Sequence, residues 1–160
     1  MKLKQSIISM FIVLLLIVTF SIKVAAQTEV DKDTIDKRHG LMSEIRDVFQ
    51  PFRAMVMAGA FEVLVVKSDE LHGLVQMIPK DFSKKVLSSE SRAKKEVWSD
   101  RKGFSQKAKE FSDAVVELQA ASKASDPKKA EGSIKKALAA CKNCHRAFRK
   151  PKPKAEDEYQ

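Results

Sequence analysis

The sequence predicts an all-α protein, an antiparallel four-helix bundle in a single domain. Apolar residues recur every three or four positions over several long stretches, which is the period of an amphipathic helix. Glycine and proline are sparse, with five of each in 160 residues. Four such helices can bury their apolar faces in one core when their connections permit antiparallel neighbours, and such bundles commonly hold cofactors between facing helices.

Residues 1–26 are predicted to be a cleaved signal peptide. Two lysines lie in residues 1–4, an apolar run covers residues 7–20, and Val24-Ala25-Ala26 supplies the small residues of a cleavage site. The run is shorter than the about 20 residues that a membrane-spanning helix needs, so an uncleaved anchor is the weaker alternative. We therefore expect an exported protein that is cut after Ala26, with the bundle at residues 27–150 and a charged tail at 151–160.

The first half of the mature chain is expected to contribute two helices. A stripe of regularly spaced residues predicts the first helix, which ends at Pro51: Ile35, Arg38, Leu41, Met42, Ile45, Val48 and Phe49. Residues 61–66 have the β-branched character of a strand. The second helix is expected from Asp69 to Pro79, on the spacing of Leu71, Leu74, Val75 and Ile78.

The second half is expected to contribute a long loop and two further helices. Residues 80–96 are polar and predict a surface loop whose apolar anchors are Phe82, Val86 and Leu87. The third helix should begin near Trp98 or Ser99, with an inner face that includes Trp98, Phe104, Ala108, Phe111, Val115 and Leu118.

Asp126-Pro127 predicts the start of the fourth helix, because aspartate caps a helix and proline suits its first position. Its predicted inner face comprises Ala130, Ile134, Leu138, Cys141, His145 and Phe148. Pro151 and Pro153 prevent the helix from continuing.

The chain's only two cysteines lie in Cys141-Lys142-Asn143-Cys144-His145, and this run is typical of a c-type haem attachment site. Each thiol can bond to a haem vinyl group, and the adjacent histidine can bind the iron. On a helix, Cys141 and His145 share a face and Cys144 is next to His145, so all three side chains can address one side of a flat macrocycle. Export favours this interpretation, because c-type haem is attached after translocation.

Three other interpretations of the two cysteines are weaker. A structural zinc site would need a fourth ligand from His39, His72 or a carboxylate, since no second C-x-x-C is present. A thioredoxin-type dithiol belongs in a βαβ unit, for which the sequence has no pattern. A plain disulfide would leave the histidine without a role. The aromatic residues Trp98, Phe104, Phe111 and Phe148 are expected to be core residues that could also contact a haem.

The chain resembles the class II c-type cytochromes, the family of cytochrome c-prime and cytochrome c-556. The resemblance rests on the terminal C-x-x-C-H followed by Phe148 and Arg149, on Arg38-His39-Gly40-Leu41-Met42, and on Val97-Trp98 followed by Phe104. It implies a four-helix bundle with one covalent haem c. Cys141 and Cys144 would be the thioether links, His145 the iron ligand, Arg149 a neighbour of the proximal face, and Arg38 a partner of the haem propionates.

The resemblance makes Met42 the residue on which the function depends. In c-prime proteins an apolar side chain four residues after the arginine leaves five-coordinate iron that binds small gases, whereas in c-556-like members a methionine ligates the iron. We therefore expect a periplasmic, low-spin His/Met electron-transfer cytochrome. One alternative is a five-coordinate cytochrome c-prime that binds nitric oxide or carbon monoxide, in which Leu41 lies over the iron. His39 is an alternative to Met42 as the second iron ligand. The remaining alternative is an exported helical metal-binding or adaptor protein without haem.

The charge balance narrows the partners. The formal net charge is +9, and the chain stays basic without the signal peptide. We expect redox partner proteins, including acidic ones, with a membrane only as a peripheral anionic surface. Nucleic acid is not expected, since no run alternates basic and aromatic residues, and the sequence shows no catalytic constellation, so an enzyme is not expected. The resemblance also implies a homodimer through the first two helices as one option.

Overall fold

The computed structural model describes residues 29–88 and 90–152 and consists of four long and two short helices. The long ones are α1, helical over residues 29–49, α3 (Phe61–Asp81), α5 (Arg101–Lys123) and α6 (Pro127–Phe148). The short ones are α2 (Phe52–Met57) and α4 (Glu96–Ser99). No β-strand occurs in these residues beyond one isolated bridge, between Ala93 and Arg149. The predicted all-α four-helix bundle is confirmed, while the signal peptide at 1–26 and residues 153–160 of the predicted tail lie outside the described residues.

The core lies between the four long helices. α5 packs against both α3 and α6. Leu64 and Leu71 of α3 and Val115 and Leu118 of α5 have no exposed surface, and neither does Phe52 of α2. α1 adds four buried apolar side chains, Ile35, Leu41, Ile45 and Val48. Burial of such side chains supplies most of the free energy that holds a bundle together.

The strand expected at residues 61–66 is wrong, because these residues are the first turns of α3. Leu64, Ser68, Leu71, Val75 and Ile78 are buried at alternating spacings of four and three, whereas Val63 and Val66 are 50% and 64% exposed. Packing of one helical stripe therefore overrides the β-propensity of the valines. α3 is preceded by a tight turn at Gly59, whose φ of 68° favours glycine.

α3 also extends beyond its predicted end. It passes through Pro79 and closes at Asp81, so the proline lies inside the last turn. The loop that follows is shorter than predicted and keeps only part of the expected anchoring. Val86 is buried and Phe82 is half-buried, but Leu87 is 45% exposed and is not an anchor.

The third predicted helix is divided in two. Trp98 lies in α4, and α5 begins two residues after Ser99, because the side chain of Asp100 caps it by accepting a hydrogen bond from the amide of Gly103 (3.0 Å). The chain direction changes at Asp100, whose φ and ψ are not helical. The helix that was expected to start near Trp98 or Ser99 therefore starts at Arg101, and Trp98 belongs to a separate short helix.

The start of α6 is confirmed. The Asp126 carboxylate accepts a hydrogen bond from the amide of Lys129 (3.0 Å), and Pro127 is the first residue of the helix. The predicted inner face is only partly correct, since Leu138 is 53% exposed and the small residues Ser133, Ala137 and Ala140 are buried. Small side chains let α6 lie close to its neighbours. No helix within the described part of the chain is long and apolar enough to cross a membrane.

Candidate haem site

The last two turns of α6 carry Cys141, Cys144 and His145. Both thiols are free and half-buried, and both side chains pack against the hydrophobic core. His145 is exposed, and the helix ends three residues later at Phe148, which is buried. The helix therefore presents two thiols from the wall of the core, with an accessible imidazole beside them.

The protein keeps both thiols protonated. Burial raises the pKa of Cys141 to about 11, with the neighbouring Cys144 adding to the effect. Burial also raises the pKa of Cys144, against the opposing charge of Lys107. A redox dithiol needs a thiolate that is stabilised at neutral pH, so the environment of these cysteines does not suit the dithiol interpretation.

The imidazole of His145 is held in its neutral form. The protein removes part of the hydration of the ring, and the positive charges of Arg149 and Arg92 add to this, so the pKa of His145 is lowered. A neutral imidazole has the free nitrogen lone pair that a metal ligand needs. At neutral pH the imidazole of His145 is therefore available to bind iron.

A strap from the loop before α4 holds the end of α6. The amide of Lys94 donates to the carbonyl of Phe148 (2.9 Å), and the amide of Lys150 donates to the carbonyl of Arg92 (2.7 Å). The Lys94 ammonium also donates to the carbonyl of Arg146 (2.9 Å). The two bonds from Lys94 satisfy carbonyls that the end of α6 would otherwise leave without partners. Local sequence patterns do not predict the strap, because its pairing partners are more than fifty residues apart.

The same region carries a cluster of cations, which we call the basic collar: Arg92, Lys94, Lys142, Arg146, Arg149 and Lys150. Among the described residues, none of the six forms an ion pair with a carboxylate, whereas lysines elsewhere on the surface do. Arg92 instead donates to the carbonyl of Lys150 (2.7 Å). The collar therefore keeps its positive charge around the end of α6.

Arg38 is buried in α1, with 3% of its surface exposed. Its guanidinium donates to three backbone carbonyls, those of Asp81 (2.9 Å), Lys84 (2.5 Å) and Val86 (3.5 Å). Burial lowers its pKa, and the charge of Asp81 opposes that shift. Arg38 thus fixes the start of the loop that follows α3, a role that the sequence analysis did not predict.

A run of ring contacts connects Arg38 to the end of α6. The ring centroids of Phe148 and Phe104 are 5.3 Å apart, and those of Phe104 and Phe82 are 5.6 Å apart. The Arg38 guanidinium carbon lies 5.1 Å from the centroid of Phe82 and 5.2 Å from that of Trp98. Cations over aromatic faces are attracted by the ring quadrupole. The structure therefore joins Arg38 of the predicted site to Trp98, which was predicted as a core residue that could contact a haem. The rings of Phe82, Phe104 and Phe148 lead from them to the turn that holds His145.

Met42 lies one turn beyond Arg38 on α1. It is half-buried and packs against the same hydrophobic cluster as Cys141 and Cys144. His39 is exposed, and His72 is half-buried within 3.1 Å of the Gln76 amide on its own helix. Three side chains were considered as the second iron ligand or as its cover: His39, Leu41 and Met42. Leu41 is buried in the core, whereas Met42 is half-buried and offers a thioether at the edge of the core.

The zinc interpretation lacks a ligand set. In the part of the chain that the structure describes, no group of three or more histidine, cysteine, aspartate or glutamate side chains is placed to hold a metal ion.

A surface depression of about 490 Å³ lies between α1 and α3, lined by Gly40, Ser43, Glu44, Asp47, Val48, Pro51 and Lys67. It contains none of the candidate site residues.

A helical bundle whose last helix ends in a haem-attachment motif defines a class of c-type cytochromes. Comparison with known proteins gives the family. The family model described as Cytochrome C' matches residues 33–149, and the chain belongs to this family.

The relatives agree with that assignment. Cytochrome c' of Alcaligenes xylosoxydans xylosoxydans is 43% identical over 60 residues, which are 38% of this chain and 47% of that protein, so the match spans about half of that relative's length. Among solved structures, the nitric oxide complex of a leucine-to-alanine mutant of cytochrome c prime from Alcaligenes xylosoxidans has a TM-score of 0.70 and 27% identity. It covers 76% of this chain and 97% of its own. A carbon monoxide-bound leucine-to-glycine variant of the same protein has a TM-score of 0.69 at 27% identity, with the same coverage.

The family carries a covalently attached c-type haem, so haem c is the cofactor of this chain. The residues present fit that group. Two protonated thiols and a neutral imidazole on one helix end are the donor set that it requires. In addition, the indole nitrogen of Trp98 is buried without an acceptor among the described residues. The nearby Arg38 cation is also buried. Both groups suit a cofactor that carries carboxylates, as haem does.

Proposed function

We propose that this protein is a periplasmic monohaem cytochrome whose iron binds a small diatomic ligand such as nitric oxide or carbon monoxide. The observation that carries the proposal is the relationship to cytochrome c prime of Alcaligenes xylosoxidans, at 26–27% identity over 97% of its chain, variants of which have been solved with nitric oxide and with carbon monoxide bound. The comparisons support this function better than the His/Met electron carrier that the sequence favoured.

In the proposal, each residue of the last helix has a separate task. Cys141 and Cys144 would hold the haem through thioether bonds, and the imidazole of His145 would bind the iron. The haem itself supplies an iron that changes oxidation state and accepts a further ligand. Arg149 follows His145 by one turn, and its charge helps to keep the imidazole unprotonated. No catalytic step is assigned, and the role is binding or transport.

Electron transfer through low-spin iron remains the second candidate, because of Met42. Its thioether is half-buried at the edge of the core and one turn from the buried Arg38. A thioether is a soft ligand that favours reduced iron and raises the reduction potential. The two candidate functions differ in whether Met42 occupies the sixth coordination position.

Carbon monoxide titration of the reduced holoprotein separates the two functions. If Met42 only covers the iron, the absorption spectrum is high-spin before the gas is added and converts fully at low gas concentration. Met42→Leu should then leave both spectra essentially unchanged, because it preserves the volume and removes only the sulfur.

If Met42 ligates, the starting spectrum is low-spin and conversion needs much more gas. In that case Met42→Leu makes the iron high-spin, and His39→Ala, at an exposed position on the same helix, is the matched control that does not. A low-spin starting spectrum that Met42→Leu abolishes would contradict the proposed gas-binding function.

The basic collar supports a proposal on partners. Six cations that have no carboxylate partner among the described residues lie around the end of α6, next to the residues that would hold the haem. We propose that an acidic redox protein docks there and changes the oxidation state of the iron, since complementary charge steers association.

A further inference from the structure

The indole N–H of Trp98 is buried without a hydrogen-bond acceptor among the described residues. Trp98 is the only tryptophan of the chain and lies in the short helix α4. Buried polar groups in native proteins almost always have a partner, and a donor without one has lost its bonds to water with nothing in return. An acceptor is therefore missing at this point of the molecule.

A second deficit lies beside the first. The Arg38 guanidinium carbon is 5.2 Å from the Trp98 ring centroid, and the side chain is buried. Its hydrogen bonds go to neutral carbonyls. The nearby carboxylate of Asp81 is ion-paired with Lys37 (2.8 Å), and Arg38 has no described carboxylate within ion-pair distance. A buried cation without an anion in contact is costly.

One chemical group would satisfy both deficits. A carboxylate accepts hydrogen bonds and carries the negative charge that the cation lacks. α4 contacts α6, and the strap that precedes α4 is bonded to the carbonyl of Phe148, so the two deficits lie in a segment held against the helix that carries the haem. A haem held by Cys141 and Cys144 would carry two propionate carboxylates, which are groups of this kind.

We propose that Trp98 donates its indole N–H to a propionate carboxylate of the haem, beside the positive charge of Arg38. Trp98 is thus a cofactor-binding residue that orients the haem edge. The inference rests on haem as the cofactor and is independent of which ligand the iron takes.

Nuclear magnetic resonance of the 15N-labelled holoprotein tests the contact directly. A single tryptophan gives a single indole cross-peak. The reduced protein under carbon monoxide is diamagnetic, and it is also diamagnetic if Met42 ligates, so the result does not depend on the proposed function. We expect a nuclear Overhauser effect between the indole proton and the propionate methylene protons. A nuclear Overhauser effect from the indole proton to water alone would overturn the proposal. So would a change in the chemical shift of the indole cross-peak when a free anion is removed from the buffer.

Resonance Raman spectra supply a second readout that a merely structural role would not move. Trp98→Phe keeps an aromatic ring and removes the N–H, so the propionate bending band of the haem should shift. Phe52→Leu is the control, because it removes a buried ring of α2 that has no polar atom, and the band should stay in place. Equal shifts in the two variants would mean that packing alone is responsible and would contradict the assignment. The wild-type nuclear magnetic resonance result stands even if Trp98→Phe does not fold.

Discussion

Arg38 shows how one side chain can organise a loop. Its guanidinium stacks on Phe82 and Trp98 and donates to carbonyls spread over residues 81–86. The planar fork of an arginine has several fixed donors, and lysine has a single flexible ammonium. Arg38 therefore ties α1 to the loop after α3 in a way that a different cation cannot reproduce.

Arg38→Lys should destabilise the protein. At least one of the three carbonyls loses its donor while it is still enclosed, and an unpaired buried group costs about 1–3 kcal/mol in the free energy of unfolding. Urea unfolding of the holoprotein measures the loss, and amide hydrogen exchange across residues 82–88 should become faster.

Arg46→Lys is the matched control for that variant. Arg46 is on the same helix but exposed, and its side chain bonds to Ser43 and Asp47 at the surface. Its replacement should change the free energy of unfolding by less than about 0.5 kcal/mol, as is usual for surface positions. A similar loss in both variants would mean that the bonds to the loop carry no special weight.

At the scale of the elements, α4 and α5 are separated by a cap that depends on a glycine. A Cβ atom at Gly103 would overlap with the carboxylate of Asp100, which accepts the bond from the Gly103 amide. Gly132 of α6, by contrast, has no neighbouring atom within 4 Å of a Cβ position. Gly103 and Gly132 should therefore respond differently to substitution by alanine.

Gly132→Ala should stabilise the protein by about 0.5–1 kcal/mol, the usual gain in helix propensity. Gly103→Ala should give no such gain, because displacement of the cap costs about 1 kcal/mol. Thermal or urea unfolding of both holoprotein variants checks the difference. In an Asp100→Ala background the cap is already absent, so Gly103→Ala should then stabilise; equal gains for both glycines in the wild-type background would contradict the explanation.

At the scale of the whole molecule, a cluster of positive charge lies around the end of α6, where the haem-attachment motif is found. The basic collar has no carboxylate partners among the described residues, although charged residues make up 32% of the chain. An uncompensated cluster attracts an oppositely charged protein over about a Debye length, which is about 10 Å at 0.1 M salt.

Reversal of two collar charges should slow the reaction with an acidic redox protein. Lys142→Glu with Arg146→Glu changes two exposed side chains that form no ion pair within the described part of the chain, and it should lower the second-order rate constant by about tenfold or more at low salt. Stopped-flow mixing with an acidic flavodoxin or ferredoxin measures this rate. The difference should vanish at high salt.

Lys135→Glu with Lys128→Glu, also on α6 but outside the collar, is the control for net charge. Its effect on the rate constant should be clearly smaller. If both pairs of substitutions slow the reaction equally, the overall charge of the protein and not the collar determines association.

Local signals predicted much of the bundle and its chemistry. The cap at Asp126, the helix that follows it and the stripe of α1 were all predicted correctly, because each depends on residues a few positions apart. The start of α3 was missed, since valines at 61–66 have a strand-like local preference that the buried stripe of Leu64, Ser68 and Leu71 overrides. Leu87 and Leu138 were placed inside for a similar reason, because periodicity does not say which apolar residue meets a neighbouring helix.

The sequence by itself determined the haem family, because covalent attachment requires two thiols and a histidine at fixed spacing on one helix. The tertiary structure alone decided what surrounds that motif. Arg38 meets Trp98 and the loop after α3, and the strap meets the end of α6, through contacts between residues far apart in the chain. Burial, unpaired donors and the environment of a charge arise only when such distant segments pack together. The indole N–H of Trp98, which is buried without an acceptor among the described residues, is therefore apparent only in the folded molecule.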